Sequence, residues 1–261
     1  MSSTDTATLI QTEFREGILT LKINRPEKKN ALNVAMYGAL ADALQRADED
    51  PATRVVLLCG CDDCFTSGND IVDFANFPLT GQDSPVLRFL SALTRAATPI
   101  VAAVSGPAVG VGTTLLLHCD LVYAADTAFF QMPFVTLGLC PEAGSTLLLP
   151  QLTGHQRASE LMLLGEPFSA VRAEQLGIVT AVVPHADLLT TARARALQLA
   201  AQPAAAVRLT KSLLKRGNAD TLQNTALFEF RCFLERLASP EAKEALQAFM
   251  EHRKPDFSHF G

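Results

Sequence analysis

The sequence predicts an α/β protein, with a layered core of largely parallel strands followed by a helical C-terminal part. Three observations carry that prediction. Two continuous apolar runs, RVVLLCG (54–60) and PIVAAVSG (99–106), are of the kind buried on both faces of a parallel sheet. Segments with apolar residues at helical spacing alternate with the strand-like runs. Beyond residue 150 the strand signal fades and helical periodicity takes over.

Taken in order, LIQTEF (9–14) and GILTLKIN (17–24) read as two strands joined by a turn at Arg15, Glu16 and Gly17. NRPEKKN (24–30) is a polar loop interrupted by Pro26. Over 32–47, Leu32, Met36, Leu40 and Leu44 recur at helical spacing. The strand at 54–60 leads into the loop CDDCFTSGND (61–70). A helix over 87–97 precedes the strand at 99–106. GPAVGVG (106–112) reads as a loop that enters a short apolar helix over 113–117. DLVYAAD (120–126) and AFFQM (128–132) read as short strands. LTGHQRASELMLLG (152–165), SAVRAEQLG (169–177) and residues 188–201, 204–215, 221–237 and 240–252 all read as helices. Gly154, Gly165 and Gly177 punctuate them as stops or turns. The expected division is a core over 1–195 and a C-terminal helical region over 196–261. There is no internal repeat or low-complexity segment.

Composition narrows the function classes. With 261 residues and 48% hydrophobic side chains, the chain is long enough for one sizeable core. Net charge is -5 and the basic residues are scattered, which excludes the basic stripe of a nucleic-acid binder. A few local Lys or Arg residues can still hold a phosphate-rich small ligand. No apolar run reaches the roughly 18 residues of a membrane span. The N-terminal residues lack the basic start and apolar core of a signal peptide, so a soluble, cytoplasmic protein is expected. Cys59, Cys61 and Cys64 crowd into CGCDDC (59–64), while Cys119, Cys140 and Cys232 stand alone. A closed zinc site needs four ligands, usually in paired clusters, so free thiols and no metal are expected.

Two Gly-containing loops, FTSGND (65–70) and GPAVGVG (106–112), each follow a buried strand. Strand ends are where ligands bind in open α/β sheets. Two such loops can each aim a backbone N–H at one spot and form an oxyanion hole; they can equally be ordinary turns. The Gly110-Val111-Gly112 segment fails the dinucleotide pattern at Leu115. In LGLCPEAGST (137–146), Glu142 allows two readings: a first-turn Glu complementing a helix dipole, or a catalytic carboxylate whose pKa is raised by apolar neighbours. His118 lies in an apolar run and reads as a core or helix-end residue. Gly-x-Ser-x-Gly is absent, which argues against triad hydrolysis.

In this order and spacing, NRPEKKNAL (24–32), FTSGND (65–70), PIVAAVSGPAVGVG (99–112), CDLVYAADTAFF (119–130), LGLCPEAGST (137–146), EQLGIVT (174–180) and the tail over 239–257 resemble the crotonase (enoyl-CoA hydratase/isomerase) superfamily. The resemblance covers nearly the whole chain. It implies a crotonase-like spiral of ββα turns forming two roughly perpendicular sheets, with a helical C-terminal trimerisation region. It also implies an acyl-CoA thioester substrate, a homotrimer or dimer of trimers, and an enolate stabilised by two backbone amides, by position those of Ser67 and Val111. Lys28, Asn30 and Ala31, with Gly68, Asn69 and Asp70, are expected to line the CoA side, together with Gly110 of the second loop. Lys28, Lys29 and Arg25 are candidate contacts to phosphate or adenine. The segment 74–89 is expected to shape the acyl pocket.

Where family hydratases carry their two catalytic Glu residues, this chain has Thr114 and Phe134. The segment around Glu142 resembles the peroxisomal-like branch of 3-enoyl-CoA to 2-enoyl-CoA isomerases, in which this Glu is the single base. The resemblance therefore implies a one-base isomerase. Phe134 would keep the pocket apolar, and no metal or redox cofactor would be needed, coenzyme A being part of the substrate. Another crotonase chemistry and a non-catalytic acyl-CoA-binding protein remain the alternatives.

Overall fold

The computed structural model describes residues 9–61, 63–70, 73, 84–251 and 253–260. Strands β1 (Ile10–Arg15) and β2 (Ile18–Ile23) form the antiparallel hairpin expected around Glu16 and Gly17. Helix α1 (Val34–Glu49) starts where the Asn33 side chain accepts from the Met36 N–H, an N-cap that satisfies one orphan donor. Strand β3 (Val55–Cys59), helix α2 (Pro85–Arg95) and strand β4 (Ile100–Val104) follow. Every residue of β3 and β4 is buried, as their continuous apolar sequences require. Of the expected acyl-pocket segment, residues 74–83 lie outside the described residues; Phe89, on α2, packs edge-on against Tyr37 of α1 with ring centroids 5.4 Å apart.

The next elements are strand β5 (Pro107–Val109), the short helix α3 (Val111–Thr114) running into a 3-10 turn (Leu115–His118), and strands β6 (Leu121–Ala125) and β7 (Phe129–Gln131). Helices α4 (Ser145–Thr153) and α5 (His155–Ser159) come next, α5 continuing as a π-helical turn (Glu160–Leu164). Strand β8 (Phe168–Ser169), helix α6 (Ala170–Gln175) and strand β9 (Ala181–Val183) complete the sheets. Helices α7 (Leu188–Ala200), α8 (Ala204–Arg216), α9 (Ala219–Leu237) and α10 (Pro240–Met250) end the chain.

Six strands form one sheet in the order β1-β2-β3-β4-β6-β9, all parallel beyond the first hairpin. A second sheet has the order β5-β7-β8. Three strands depart from the sequence reading. β5 lies inside the segment read as a loop, and β8 and β9 lie where only helices were expected. Each is three residues or shorter, too short to show alternation, and exists because a neighbouring strand supplies its ladder.

Helix α7 packs across β2, β3, β4 and β6, and residue 195 lies within it. Helix α8 is tied to the sheet by charge. Lys211, 5% exposed, donates to the Thr98 carbonyl at 2.9 Å and to Asp120 at 2.7 Å, and the same Asp120 oxygen accepts the Ile100 N–H. Among the described residues no helix is long and apolar enough to cross a membrane.

Asp120→Ala leaves the Lys211 ammonium without its anion. It is expected to lower unfolding stability by about 2–3 kcal/mol, read as a shifted urea midpoint, with part of the loss recovered in Asp120→Ala/Lys211→Met.

Candidate active site

The two glycine loops meet. The Thr66 N–H donates to the Pro107 carbonyl and the Val109 N–H to the Thr66 carbonyl, both at 3.0 Å, so the 65–70 loop runs as a neighbour of β5. On its other side, the Leu32 N–H donates to the Gly68 carbonyl and the Asp70 N–H to the Leu32 carbonyl, both at 2.8 Å. Glycine is required at two contacts. A Cβ on Gly68, which has φ +94°, would lie 2.9 Å from the Val109 oxygen, and one on Gly112 would lie 2.5 Å from Thr66 Cγ2.

A narrow cavity of about 90 Å³ lies between the loops. Residues 67–69 and 109–111 form one side, Pro133, Phe134, Leu137 and Leu139 another, and Phe233 and Leu237 of α9 with Leu246 of α10 close it. The C-terminal helices thus cover the site of their own chain. The expected donor Ser67 is corrected here: its N–H donates to the Lys29 carbonyl at 3.0 Å and is already used in joining the loops. The N–H groups of Asn69 and Val111 have no acceptor among the described residues, and both residues line the cavity. Val111, Gly68, Gly110 and Phe134 line the cavity together with Ser67 and Asn69.

Three residues expected at the ligand also hold the loop together. Asn30 is fully buried; its side chain accepts from the Arg25 N–H and the Cys61 thiol and donates to the Cys64 and Phe65 carbonyls. Asp70 is paired with Arg25 at 2.7 Å, and the same guanidinium nitrogen donates to the Ala31 carbonyl. The Asn30 side chain thus makes its hydrogen bonds inside the loop, and Asp70 and Arg25 bind each other across the rim, Arg25 through Nη1. Ala31 is half-buried in the same rim, and Lys28 and Lys29 are exposed on it. The crowded cysteines serve this loop too: the Cys64 thiol donates to the Lys29 carbonyl, and burial pushes its pKa up to about 11. All six cysteines are free, and no group of three or more His, Cys, Asp or Glu among the described residues is placed to hold a metal ion.

Glu142 lies before helix α4, not in its first turn, which removes the helix-dipole reading. Ala143 and Gly144 follow it in the left-handed region, at φ +63° and +70°. For Ala143 that conformation costs about 1–2 kcal/mol. The Glu142 carboxyl is 6% exposed and, among the described residues, accepts one hydrogen bond, from the Thr114 hydroxyl at 2.5 Å. Burial pushes its pKa up to about 7; the Thr114 bond opposes the shift and the charge of Glu229 adds to it. Glu142 does not itself line the cavity. It sits behind the wall, joined through Thr114, three residues on from Val111.

Glu229, on α9, was not legible as a site residue. It accepts from the Gly144 N–H at 2.5 Å and from the N–H and hydroxyl of Thr146 at 2.9 and 2.5 Å, so it supplies the cap that α4 lacks. The one available sequence signal was a carboxylate on the buried stripe of α9, with Leu222, Phe230 and Phe233. His118 is buried, with its pKa pushed down to about 4, chiefly by burial, and its neutral ring donates to the Ala143 carbonyl at 2.7 Å.

A sequence profile described as enoyl-CoA hydratase/isomerase matches residues 13–259. The chain is 36% identical over 254 residues to a probable enoyl-CoA hydratase of Mycobacterium bovis, covering 96% of this chain and 97% of that one. It is 37% identical over 262 residues to the 1,2-epoxyphenylacetyl-CoA isomerase of Escherichia coli, covering 95% and 98%. It is 34% identical over 245 residues to the enoyl-CoA delta isomerase 2 of Rattus norvegicus, covering 92% of this chain and 62% of that longer one. The crystal structure of an enoyl-CoA hydratase/isomerase from Pseudoalteromonas atlantica superposes with a TM-score of 0.91 at 44% identity, covering 96% of this chain and all of that one.

Thr114→Val removes the hydrogen bond that holds down the Glu142 pKa. The titration of Glu142, followed by carboxyl carbon NMR, is expected to move above about 7, while Thr114→Ser leaves it in place.

Proposed function

The chain belongs to the enoyl-CoA hydratase/isomerase family, and on that premise we propose that it is a 3,2-enoyl-CoA isomerase with Glu142 as its single base. One observation carries the reading: a buried carboxyl with its pKa pushed up to about 7 is hydrogen-bonded to Thr114, on the short helix that begins at Val111; by the order of the motifs, Thr114 and Phe134 fall where hydratases carry their two carboxylates. Similarity to the rat delta isomerase lends support; the hydratase names among the relatives pull the other way.

In this reading the thioester carbonyl accepts from the N–H groups of Asn69 and Val111. Each such donor is worth about 2.7–4 kcal/mol as negative charge builds on that oxygen. The Glu142 carboxylate removes a proton from C2, the electrons delocalise through the C3–C4 double bond, and the same carboxyl returns the proton to C4. The double bond then lies between C2 and C3. The Glu142 carboxyl must turn from Thr114 toward the cavity to do this, the kind of tightening that follows substrate binding. Phe134, buried on the cavity wall, keeps out the water that hydration would require. The reaction moves only a proton and needs neither metal nor redox cofactor. Lys28 and Lys29 remain the basic groups available for the CoA phosphates.

The test compares a 3-enoyl-CoA with a 2-enoyl-CoA. Wild type should form the conjugated thioester, and Glu142→Gln should lose about 10²–10⁴-fold in rate. Efficient hydration of the 2-enoyl substrate overturns the assignment. Because the base works only when ionised, kcat/KM should be flat above pH 7 and fall about tenfold per pH unit below it.

The assembly belongs to the same proposal. Leu209, Leu213 and Leu214 of α8 and Leu227 and Phe228 of α9 are exposed apolar residues that a trimer or a dimer of trimers would cover. Light scattering should give a mass of three or six chains; a monomer contradicts it.

A further inference from the structure

We propose that Glu229 is a positioning residue for Glu142, clamping the turn that carries the base through the Ala143–Gly144 peptide. The geometry is specific to one peptide unit. Its carbonyl, on Ala143, accepts from His118 at 2.7 Å, and its N–H, on Gly144, donates to Glu229 at 2.5 Å. The peptide plane is therefore gripped at both ends, one grip coming from the turn after α3 and the other from α9. A peptide flip here would break both bonds at once, and it is this plane that fixes the two consecutive left-handed residues after Glu142.

A second observation separates this from an ordinary helix cap. Helix α4 has no side-chain cap of its own, since Gly144 occupies the cap position. The capping carboxylate comes from 85 residues away, on a stripe of α9 that is otherwise apolar. A local Ser, Asp or Asn would satisfy the same N–H groups. What the distant carboxylate adds is a rigid link between the base and the helix whose Phe233 and Leu237 close the cavity. The wall that closes the cavity and the turn that holds the base are thus set by one helix. The titratable groups that act on Glu142 are few. Glu229 approaches from α9, Tyr37 is coupled to it from α1 with its phenol pushed up by burial, and His118 stays neutral.

The inference rests on Glu142 as the base, and its test uses two readouts that fail separately. In the whole protein, Glu229→Ala and Glu229→Gln are compared with wild type for kcat and KM on a 3-enoyl-CoA, and for the titration midpoint of Glu142 by carboxyl carbon NMR, with Glu142→Gln assigning the resonance. Glu229→Ala should lower kcat by about 10²-fold with KM little changed, as a misplaced catalytic group does. Glu229→Gln keeps the shape and should lose less. In both, the midpoint should fall below about 7, because the neighbouring like charge is gone. If Glu229→Ala does not fold, Glu229→Gln decides. A folded variant with wild-type kcat and an unmoved midpoint overturns the positioning role while leaving the isomerase intact. A midpoint that moves in a protein with no isomerase activity upholds the link between Glu229 and Glu142 and overturns the activity instead.

Discussion

The Glu142 carboxyl is held inside the protein by a single hydrogen bond from Thr114, with no cation beside it among the described residues. An ionised carboxylate taken out of water without a counterion is costly, and the protein meets that cost by raising the pKa until neutral and ionised forms are balanced near pH 7. Much of the surrounding structure follows from keeping the group there. The turn after it adopts two left-handed residues in succession. Neutral His118 and buried Glu229 hold the turn's peptide, and Thr114 takes up one carboxylate oxygen.

The two loops that meet at the cavity obey a different constraint, that of satisfied backbone groups. Nearly every N–H between 66 and 70 is used to join one segment to the next: Thr66 to β5, Ser67 to Lys29, Gly68 to the Thr66 hydroxyl and Asp70 to Leu32. Among the described residues the Asn69 N–H is the exception, and the Val111 N–H is its counterpart on the second loop. Buried or half-buried N–H groups are rarely left without partners, and these two are the donors that the proposed mechanism uses. Helices α9 and α10 then close the cavity with apolar side chains, and the Lys211–Asp120 pair fastens α8, which leads into α9, to the parallel sheet.

The fold was legible where burial is written into consecutive residues. The all-apolar runs of β3 and β4 and the helical stripe of α1 could be read directly. Strands β5, β8 and β9 could not, because their pairing comes from partners distant in the chain. At the site, the order of the motifs singles out Glu142, Val111 and Phe134, and the structure puts Val111 and Phe134 on the cavity wall and Glu142 behind it on Thr114. That the Ser67 N–H is taken up by the Lys29 carbonyl was not legible, since it depends on the ladder between residues 29–32 and 66–70. Asn30 and Asp70 looked like ligand groups for the same reason, and only their hydrogen bonds show that they also hold the loop together. Glu229 was hidden because its partners lie more than 80 residues away.

The central claim is that one buried carboxyl both removes and returns the proton. A 3-enoyl-CoA carrying deuterium at C2, converted in ordinary water, tests it most directly, with the label located in the product by mass spectrometry and NMR. The account predicts deuterium at C4, because a carboxyl shut away from solvent exchanges its proton slowly enough to hand it on. A conjugated product whose newly gained C4 hydrogen comes only from solvent contradicts a single shielded base.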